Sequence, residues 1–184
     1  MSLPSVVVLI GLRGAGKTTL GRALAAELNR PFADLDDLAL ASCAESNIQE
    51  VFQNRGEQAW RDAEARALDA ALAGSGQVLA LGGGAPMVDA IATAISAARE
   101  NGSAHVLWLD APDSVLAERI GEHGDARPPL LHDVEGVPLS ALEECHALRE
   151  ARGERYGQLA QDTVDTSGSV PEVVQRILRD TALR

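Results

Sequence analysis

A glycine-rich stretch near the amino terminus has the residue types and spacing of a phosphate-binding loop. The segment GLRGAGKT, residues 11–18, fits the pattern G-x-x-x-x-G-K-[ST]. Glycines let backbone N–H groups surround an anion without side-chain clash, and a following helix adds partial positive charge. Lys17 can reach the β- and γ-phosphates of a nucleotide, and the Thr18 hydroxyl can ligate Mg²⁺. We therefore expect ATP or GTP with Mg²⁺ at this loop.

Two carboxylates follow the next short apolar segment. Asp34 and Asp36 stand where a second strand should end, and ligands of an open α/β sheet bind beyond the carboxyl ends of its strands. Alternation along an extended segment would put both side chains on the same side. Such a pair can hold Mg²⁺ through water and orient an acceptor hydroxyl. Helix capping by aspartate is the alternative explanation.

Three consecutive glycines, residues 82–84, directly follow a predicted buried strand. Three glycines lose much conformational entropy on folding unless something must approach the backbone closely. They would let a ligand lie against bare backbone. A loose turn is the alternative explanation.

Two arginines are candidates for binding an anionic substrate. Arg61 lies early in its predicted helix, where a cation opposes the helix dipole, so another interaction must favour it. A surface ion pair with Glu57 or Glu64 is the alternative. Arg152 lies late in its helix, where the dipole favours a cation anyway.

The apolar pattern predicts strands that alternate with helices. Strands are expected at residues 6–10, 31–33, 78–81, 104–109 and 163–165. Helical spacing follows the phosphate loop at Leu20, Leu24 and Leu28, and a helical region after residue 37 is broken by Gly56. Further helices are expected at 57–73, 87–99, 113–121, 139–156 and around 173–178. Residues from about 121 to 136 are polar and contain two prolines, so we predict a mobile lid there. Arg127 lies in it and could stabilise transferring charge. The alternation implies one α/β domain over residues 1–184 with right-handed crossovers.

Composition restricts the class of protein. The chain has 184 residues and a formal net charge of −11, which argues against a general nucleic-acid binder. The longest apolar runs are shorter than the ~20 residues of a membrane span. Cys43 and Cys145 lack metal-ligand spacing and favour a reducing compartment. The first strand leaves no room for a signal peptide, so we expect a cytoplasmic protein. The chain has no N-K-x-D pattern for guanine, which favours a small-molecule kinase over a GTPase.

Together these residues resemble the shikimate kinase family. That family combines the phosphate loop with D-x-D, F-x(7)-[FW]-R, G-G-G, R-P-L-L and R-x-x-x-Y, in that order. The matching residues here are 11–18, 34–36, Phe52 with Trp60 and Arg61, 82–84, 127–131, and Arg152 with Tyr156. The resemblance extends from Val6 to about Ile177. Two departures are an additional proline after Arg127 and tryptophan at position 60, where phenylalanine is usual.

The resemblance implies a fold, a reaction and a set of site residues. The fold would be a three-layer P-loop kinase fold with a five-stranded parallel sheet ordered 2-3-1-4-5. The reaction would transfer the γ-phosphoryl group of ATP to the 3-hydroxyl of shikimate. Thr18 would ligate magnesium, and Asp34 would touch it through water. ATP would be held by Gly14, Ala15, Gly16, Lys17, Thr18, Thr19, Arg119 along the adenine face, and Arg127 from the lid.

The same resemblance implies how shikimate is bound. Arg61 and Arg152 would grip its carboxylate, while Asp36 would bind ring hydroxyls and take the proton. Backbone contacts would come from Gly82, Gly83 and Gly84. The catalytic residues would be Lys17, Asp36 and Arg127.

Two alternatives stay open at this point. The first is another small-molecule kinase of the same fold that acts on gluconate or a nucleoside monophosphate, because Arg61 and Arg152 could hold a phosphate as well as a carboxylate. The second is a domain that senses a ligand without turnover. We expect a monomer whose partners are shikimate and ATP, with neither nucleic acid nor membrane as a partner.

Overall fold

The strand that precedes the phosphate loop lies at the centre of the sheet. β1 (Val6–Ile10) is fully buried, as its unbroken run of valine, leucine and isoleucine predicts for a parallel strand covered on both faces. The structure is a computed structural model that describes residues 5–74, 76–122, 130–181 and 183. Within those ranges, none of the helices has the length and apolar character needed to cross a bilayer.

Strands and helices alternate along the chain as predicted, with boundaries that differ by a few residues. The other strands are β2 (Phe32–Asp34), β3 (Gln77–Ala80), β4 (Ala104–Asp110) and β5 (Asp162–Asp165). The helices are α1 (Lys17–Glu27), α2 (Leu35–Leu40), α3 (Ile48–Ala73), α4 (Asp89–Glu100), α5 (Asp113–Gly121), α6 (Ala141–Leu159) and α7 (Val170–Asp180), and a short 3₁₀ helix spans Ala85–Met87. Gly56 interrupts α3 with a non-helical φ of 82°, as predicted.

The five strands form one parallel sheet in the order β2-β3-β1-β4-β5, which confirms the expected topology. In its register, Ala80 of β3 pairs with Leu9 of β1 on one side and with Asp34 of β2 on the other. The segments that follow these three strands therefore emerge side by side at one edge of the sheet, where ligands of such sheets bind. The phosphate loop, Asp34 and the three glycines meet there.

Aliphatic side chains fill the main core, and a smaller buried cluster lies between α2 and α3. This second cluster contains Ala39, Val51, Trp60 and Ala63. Trp60 is 2% exposed and meets the ring of Phe52 edge-on at a centroid distance of 6.3 Å. The additional bulk of tryptophan at this position is therefore used in packing α2 against α3.

Part of the expected lid has a defined structure. Residues 130–139 form a tight turn in which the N–H of Asp133 donates to the carbonyl of Val137 at 2.8 Å, and that of Leu139 donates to Leu131 at 3.0 Å. The Asp133 carboxylate also accepts the N–H groups of Glu135 and Val137. Arg127 and its neighbours at 123–129 lie outside the described residues.

Candidate active site

The phosphate loop wraps the amino terminus of α1. Gly14 and Gly16 have φ values of +81° and +85°, a region that residues with a Cβ rarely adopt. Because glycine occupies the N-cap position of α1, no side chain at that position competes for the first-turn N–H groups, which are left for an anion. Lys17 Nζ donates to the carbonyls of Gly11 and Leu12, each at 2.9 Å. The ammonium group is thus held at the base of the loop.

Asp34 has two roles at once. Its Oδ2 accepts a hydrogen bond from the Thr18 hydroxyl at 3.2 Å, and its Oδ1 accepts the N–H of Asp36 and caps α2. The functional and the capping interpretations of this residue are therefore compatible. A hydroxyl beside a carboxylate suits Mg²⁺, which prefers oxygen ligands and retains several waters. Over the described ranges, no cluster of three or more His, Cys, Asp or Glu side chains could hold a metal by itself.

Asp36 lies in α2, so the prediction that it shares an extended segment with Asp34 is wrong. β2 ends at Asp34, and the helix begins at Leu35 because the Asp34 carboxylate caps it. The Asp36 side chain nevertheless reaches the same cavity as Asp34. Burial raises the pKa of Asp36 to about 6, and the negative charges of Asp34 and Glu64 add to this rise. A carboxyl with such a pKa is ionised at neutral pH yet is a better proton acceptor than an ordinary aspartate.

Each of the three glycines after β3 lies against a different polar side chain. A Cβ placed on Gly82 would lie 2.8 Å from Asp36 Oδ1. One on Gly83 would lie 3.4 Å from Nη1 of Arg152, and one on Gly84 would lie 3.6 Å from Nη2 of Arg61. A Cβ would therefore be too close at Gly82, whereas at Gly83 and Gly84 it would make ordinary contacts. Close approach thus explains the glycine at position 82 better than a loose turn does.

Arg61 is held by two glutamates of its own helix. Its guanidinium donates to Glu57 at 2.9 Å and to Glu64 at 2.7 Å. Glu57 is exposed, as in the surface-pair alternative, whereas the Glu64 side chain is only 2% exposed. Burial raises the pKa of Glu64, and the Arg61 guanidinium opposes that rise. Glu64 therefore fixes Arg61 beside Gly84 and also contributes negative charge near Asp36.

Arg152 is positioned through a buried tyrosine one turn further along α6. The Tyr156 hydroxyl donates to the carbonyl of Gly83 at 2.6 Å, and this hydroxyl and Nη1 of Arg152 both lie against Gly83. Burial raises the pKa of Tyr156. Arg61 and Arg152 come from different helices and reach adjacent residues of one glycine segment, so the structure brings the two predicted cations together.

Two cavities lie on either side of the phosphate loop. One, of about 300 Å³, is lined by Arg13, Gly14, Gly16, Lys17, Thr18, Thr19, Asp34, Asp36, Leu81, Gly82 and Gly83. The other, of about 170 Å³, is lined by Gly14, Gly16, Thr19, Leu20, Arg119, Thr166, Gly168 and Val170. They share three residues of the loop and of α1, as expected if a nucleotide spans both. Arg119 donates to the carbonyl of Thr166 at 2.7 Å and borders the smaller cavity. The Ala15 side chain is fully buried.

Four residues of this region were not predicted as site residues from the sequence. Tyr156 and Glu64 had a signal, because each lies one helical turn from a predicted arginine. Arg13 occupies a variable position of the loop pattern, so the motif carries no information about it. Glu144 had no sequence signal, since its ion-pair partner Arg13 is 131 residues away in the chain.

The parallel sheet, the phosphate loop and the acceptor-side groups beside it define a P-loop kinase of small molecules. A family model described as Shikimate kinase matches residues 13–182. A shikimate kinase of Symbiobacterium thermophilum is 38% identical to the chain, and the match covers 94% of this chain and 93% of that protein. A shikimate kinase of Ruegeria pomeroyi is also 38% identical, and the match covers 100% of this chain and 88% of that protein. The chain therefore belongs to the shikimate kinase family and is an enzyme.

Solved structures agree with this assignment. A shikimate kinase from Acinetobacter baumannii, solved in complex with shikimate, superposes with a TM-score of 0.79 at 28% identity, covering 96% of this chain and 92% of that one. A gluconokinase from Sinorhizobium meliloti has a TM-score of 0.60 at 20% identity, covering 97% of this chain and 92% of that one. The likeness to the gluconokinase shows a common fold alone.

Proposed function

We propose that this chain transfers the γ-phosphoryl group of ATP to the 3-hydroxyl of shikimate, giving shikimate 3-phosphate and ADP. The observation that carries this proposal is that Asp36, Arg152 and Arg61 lie along residues 82–84, directly beside the phosphate loop. Shikimate is a small polyol with one carboxylate. A site for it needs fixed cations for the carboxylate and acceptors for the hydroxyls, and arginine offers a planar two-point grip that lysine lacks.

The nucleotide is held in this proposal by the loop and the start of α1. The binding residues are Gly14, Ala15, Gly16, Lys17, Thr18 and Thr19, with Arg119 at the nucleoside end. Lys17 exchanges its bonds to the loop carbonyls for bonds to phosphate oxygens. Thr18 and Asp34 would hold Mg²⁺, which when bound neutralises phosphate charge. Arg127, outside the described residues, is proposed to close over ATP from the lid.

Shikimate is held on the opposite side of the larger cavity. Arg61 and Arg152 bind its carboxylate, and residues 82–84 allow it to lie against the backbone. Asp36 orients the attacking hydroxyl and accepts its proton, which its raised pKa favours. Phosphoryl transfer depends mostly on positioning and charge stabilisation. Lys17, Asp36 and Arg127 are therefore the proposed catalytic residues.

We also propose that the protein is a cytoplasmic monomer without a nucleic-acid partner. Cys43 and Cys145 are free thiols, which supports a reducing compartment. The net charge of −11 disfavours association with a phosphate backbone. Sedimentation analysis tests the monomer, and fractionation of the source cells tests the compartment.

Coupled measurement of ADP release tests the activity. Purified protein with Mg·ATP should release ADP when shikimate is added, and release should be near background with gluconate or a nucleoside monophosphate. Turnover of gluconate or a nucleotide with shikimate inert would favour another small-molecule kinase. Binding of shikimate with no ADP release would instead favour a ligand-sensing domain.

A further inference from the structure

Arg13 lies at the wall of the larger cavity, although the loop pattern leaves its position open. It lines the cavity together with Lys17 and Asp36, and its side chain is 16% exposed. Nη1 of Arg13 donates to Oε1 of Glu144 at 3.1 Å. The guanidinium carries five N–H donors in a planar fork. A guanidinium can therefore bond a carboxylate such as that of Glu144 and a second anion at the same time.

Glu144 binds two parts of the protein at once. It lies in the first turn of α6, and its side chain is only 2% exposed. Its second oxygen, Oε2, accepts the backbone N–H groups of Leu130 and Leu131, the latter at 3.2 Å. A buried carboxylate with partners on both oxygens has a fixed orientation, because turning it would break hydrogen bonds on both of them. Glu144 thus joins Arg13 of the phosphate loop to the start of the turn at residues 130–139.

The charges around the larger cavity explain why such a cation is useful. Asp34 and Asp36 both line it, and the transferring phosphoryl group is also negative. Lys17 is the cation on the loop side of this cavity. A second fixed cation in the wall of the same cavity would offset the repulsion that develops as the phosphoryl group approaches the acceptor.

We propose that Arg13 contacts the γ-phosphoryl group and that Glu144 is the positioning residue that aims it there. Glu144 acts through Arg13, and its bonds to residues 130 and 131 fix it relative to the loop. This inference rests on the proposed function for the identity of the phosphoryl donor and is independent of the acceptor.

Binding of two nucleotides separates this role from a general structural one. Calorimetry would compare ADP with a non-hydrolysable imido analogue of ATP, which differs by the γ-group. Arg13→Met should weaken binding of the analogue about tenfold more than binding of ADP, as expected for loss of a charge-assisted contact. Glu144→Gln should change the ratio of the two dissociation constants in the same direction as Arg13→Met and by a similar factor. The double variant R13M/E144Q should change it no further, because both residues act through one contact.

Controls keep the result interpretable. Arg13→Met leaves the buried Glu144 carboxylate without its cation, which lowers stability. R13M/E144Q removes both charges and serves if the single variant fails to fold. Arg66→Met removes an exposed arginine of α3 and should leave both affinities unchanged. Arg13→Lys should restore part of the preference for the analogue.

Three outcomes would overturn the inference. The first is an R13M or R13M/E144Q protein that loses the two affinities equally or retains both. The second is an E144Q protein with an unchanged ratio, and the third is a double variant with multiplied effects. No acceptor is present in these titrations, so failure of shikimate turnover in the wild type would overturn the proposed function and leave this test standing.

Discussion

Replacing Asp36 with asparagine should stabilise the fold at pH 8 while abolishing most of the activity. Burial and two neighbouring carboxylates raise the pKa of Asp36 from 3.8 to about 6. Because the folded-state pKa lies above that of the unfolded chain, the ionised group destabilises the fold above pH 6. This penalty fades as the pH falls and is gone below about pH 4.

The size of the effect follows from the pKa change. Each pKa unit corresponds to about 1.4 kcal/mol, so a rise from 3.8 to about 6 corresponds to about 3 kcal/mol. Asp36 is only partly buried, and screening by solvent on its open side reduces this to about 2 kcal/mol. Asp36→Asn should therefore raise the free energy of unfolding by about 2 kcal/mol at pH 8 and by close to zero at pH 4. Turnover should fall about 100-fold with loss of the proton acceptor.

Urea denaturation of wild type and variant at both pH values measures this difference. Asp37→Asn is the matched control, because Asp37 is the next residue of the same helix and is exposed. Its loss should change stability by no more than about 0.5 kcal/mol, because the lost charge near the helix amino terminus and the relief of repulsion with Asp36 oppose each other. Equal stability of Asp36→Asn and wild type at pH 8 would refute the reasoning. So would a gain that persists unchanged at pH 4, because it would not come from ionisation.

Three further outcomes follow from the site. The rate of shikimate phosphorylation at low substrate concentration should fall about tenfold per pH unit below pH 6 as Asp36 is protonated. A pH–rate profile that starts to fall only below pH 5 would exclude Asp36 as the base. Gly82→Ala should lower kcat at least about tenfold, since its Cβ would lie 2.8 Å from the Asp36 carboxylate, whereas Gly121→Ala, with open space around it, should be neutral in the same assay. Arg61→Ala should raise KM for shikimate about 100-fold and leave the Kd of ADP within about twofold. The double variant R61A/E64Q avoids leaving the buried Glu64 carboxylate unpaired. A large loss of ADP affinity in the double variant would contradict a role of Arg61 in binding the shikimate carboxylate.

Local patterns predicted the elements well where they depend on short-range chemistry. The apolar run of β1, the interruption of the helix at Gly56 and the start of α5 at Asp113 are all where the sequence placed them. Each depends on residues within one or two turns. The position of Asp36 was misjudged for the same reason, because a cap by Asp34 converts a strand into a helix within two residues.

Local sequence patterns do not predict contacts between segments that are far apart in the chain. Nothing in residues 82–84 indicates that their three neighbours are Asp36, Arg152 and Arg61 in that order. The pairing of β3 with both β1 and β2 produces this arrangement. The ion pair of Arg13 with Glu144 likewise depends on where α6 packs, and α6 is positioned by the whole sheet.

By itself the sequence determined the phosphate loop, the alternation of strands and helices, and the set of charged residues available for an acid substrate. These follow from backbone conformation and side-chain chemistry, which act over a few residues. Only the tertiary structure decided which glycine each charge lies against and which charges are buried, and hence the pKa of Asp36 and the ion pairs of Arg13 and Arg61. The physical reason is that burial and Coulomb interactions depend on distances through space, which packing of the helices on the sheet sets.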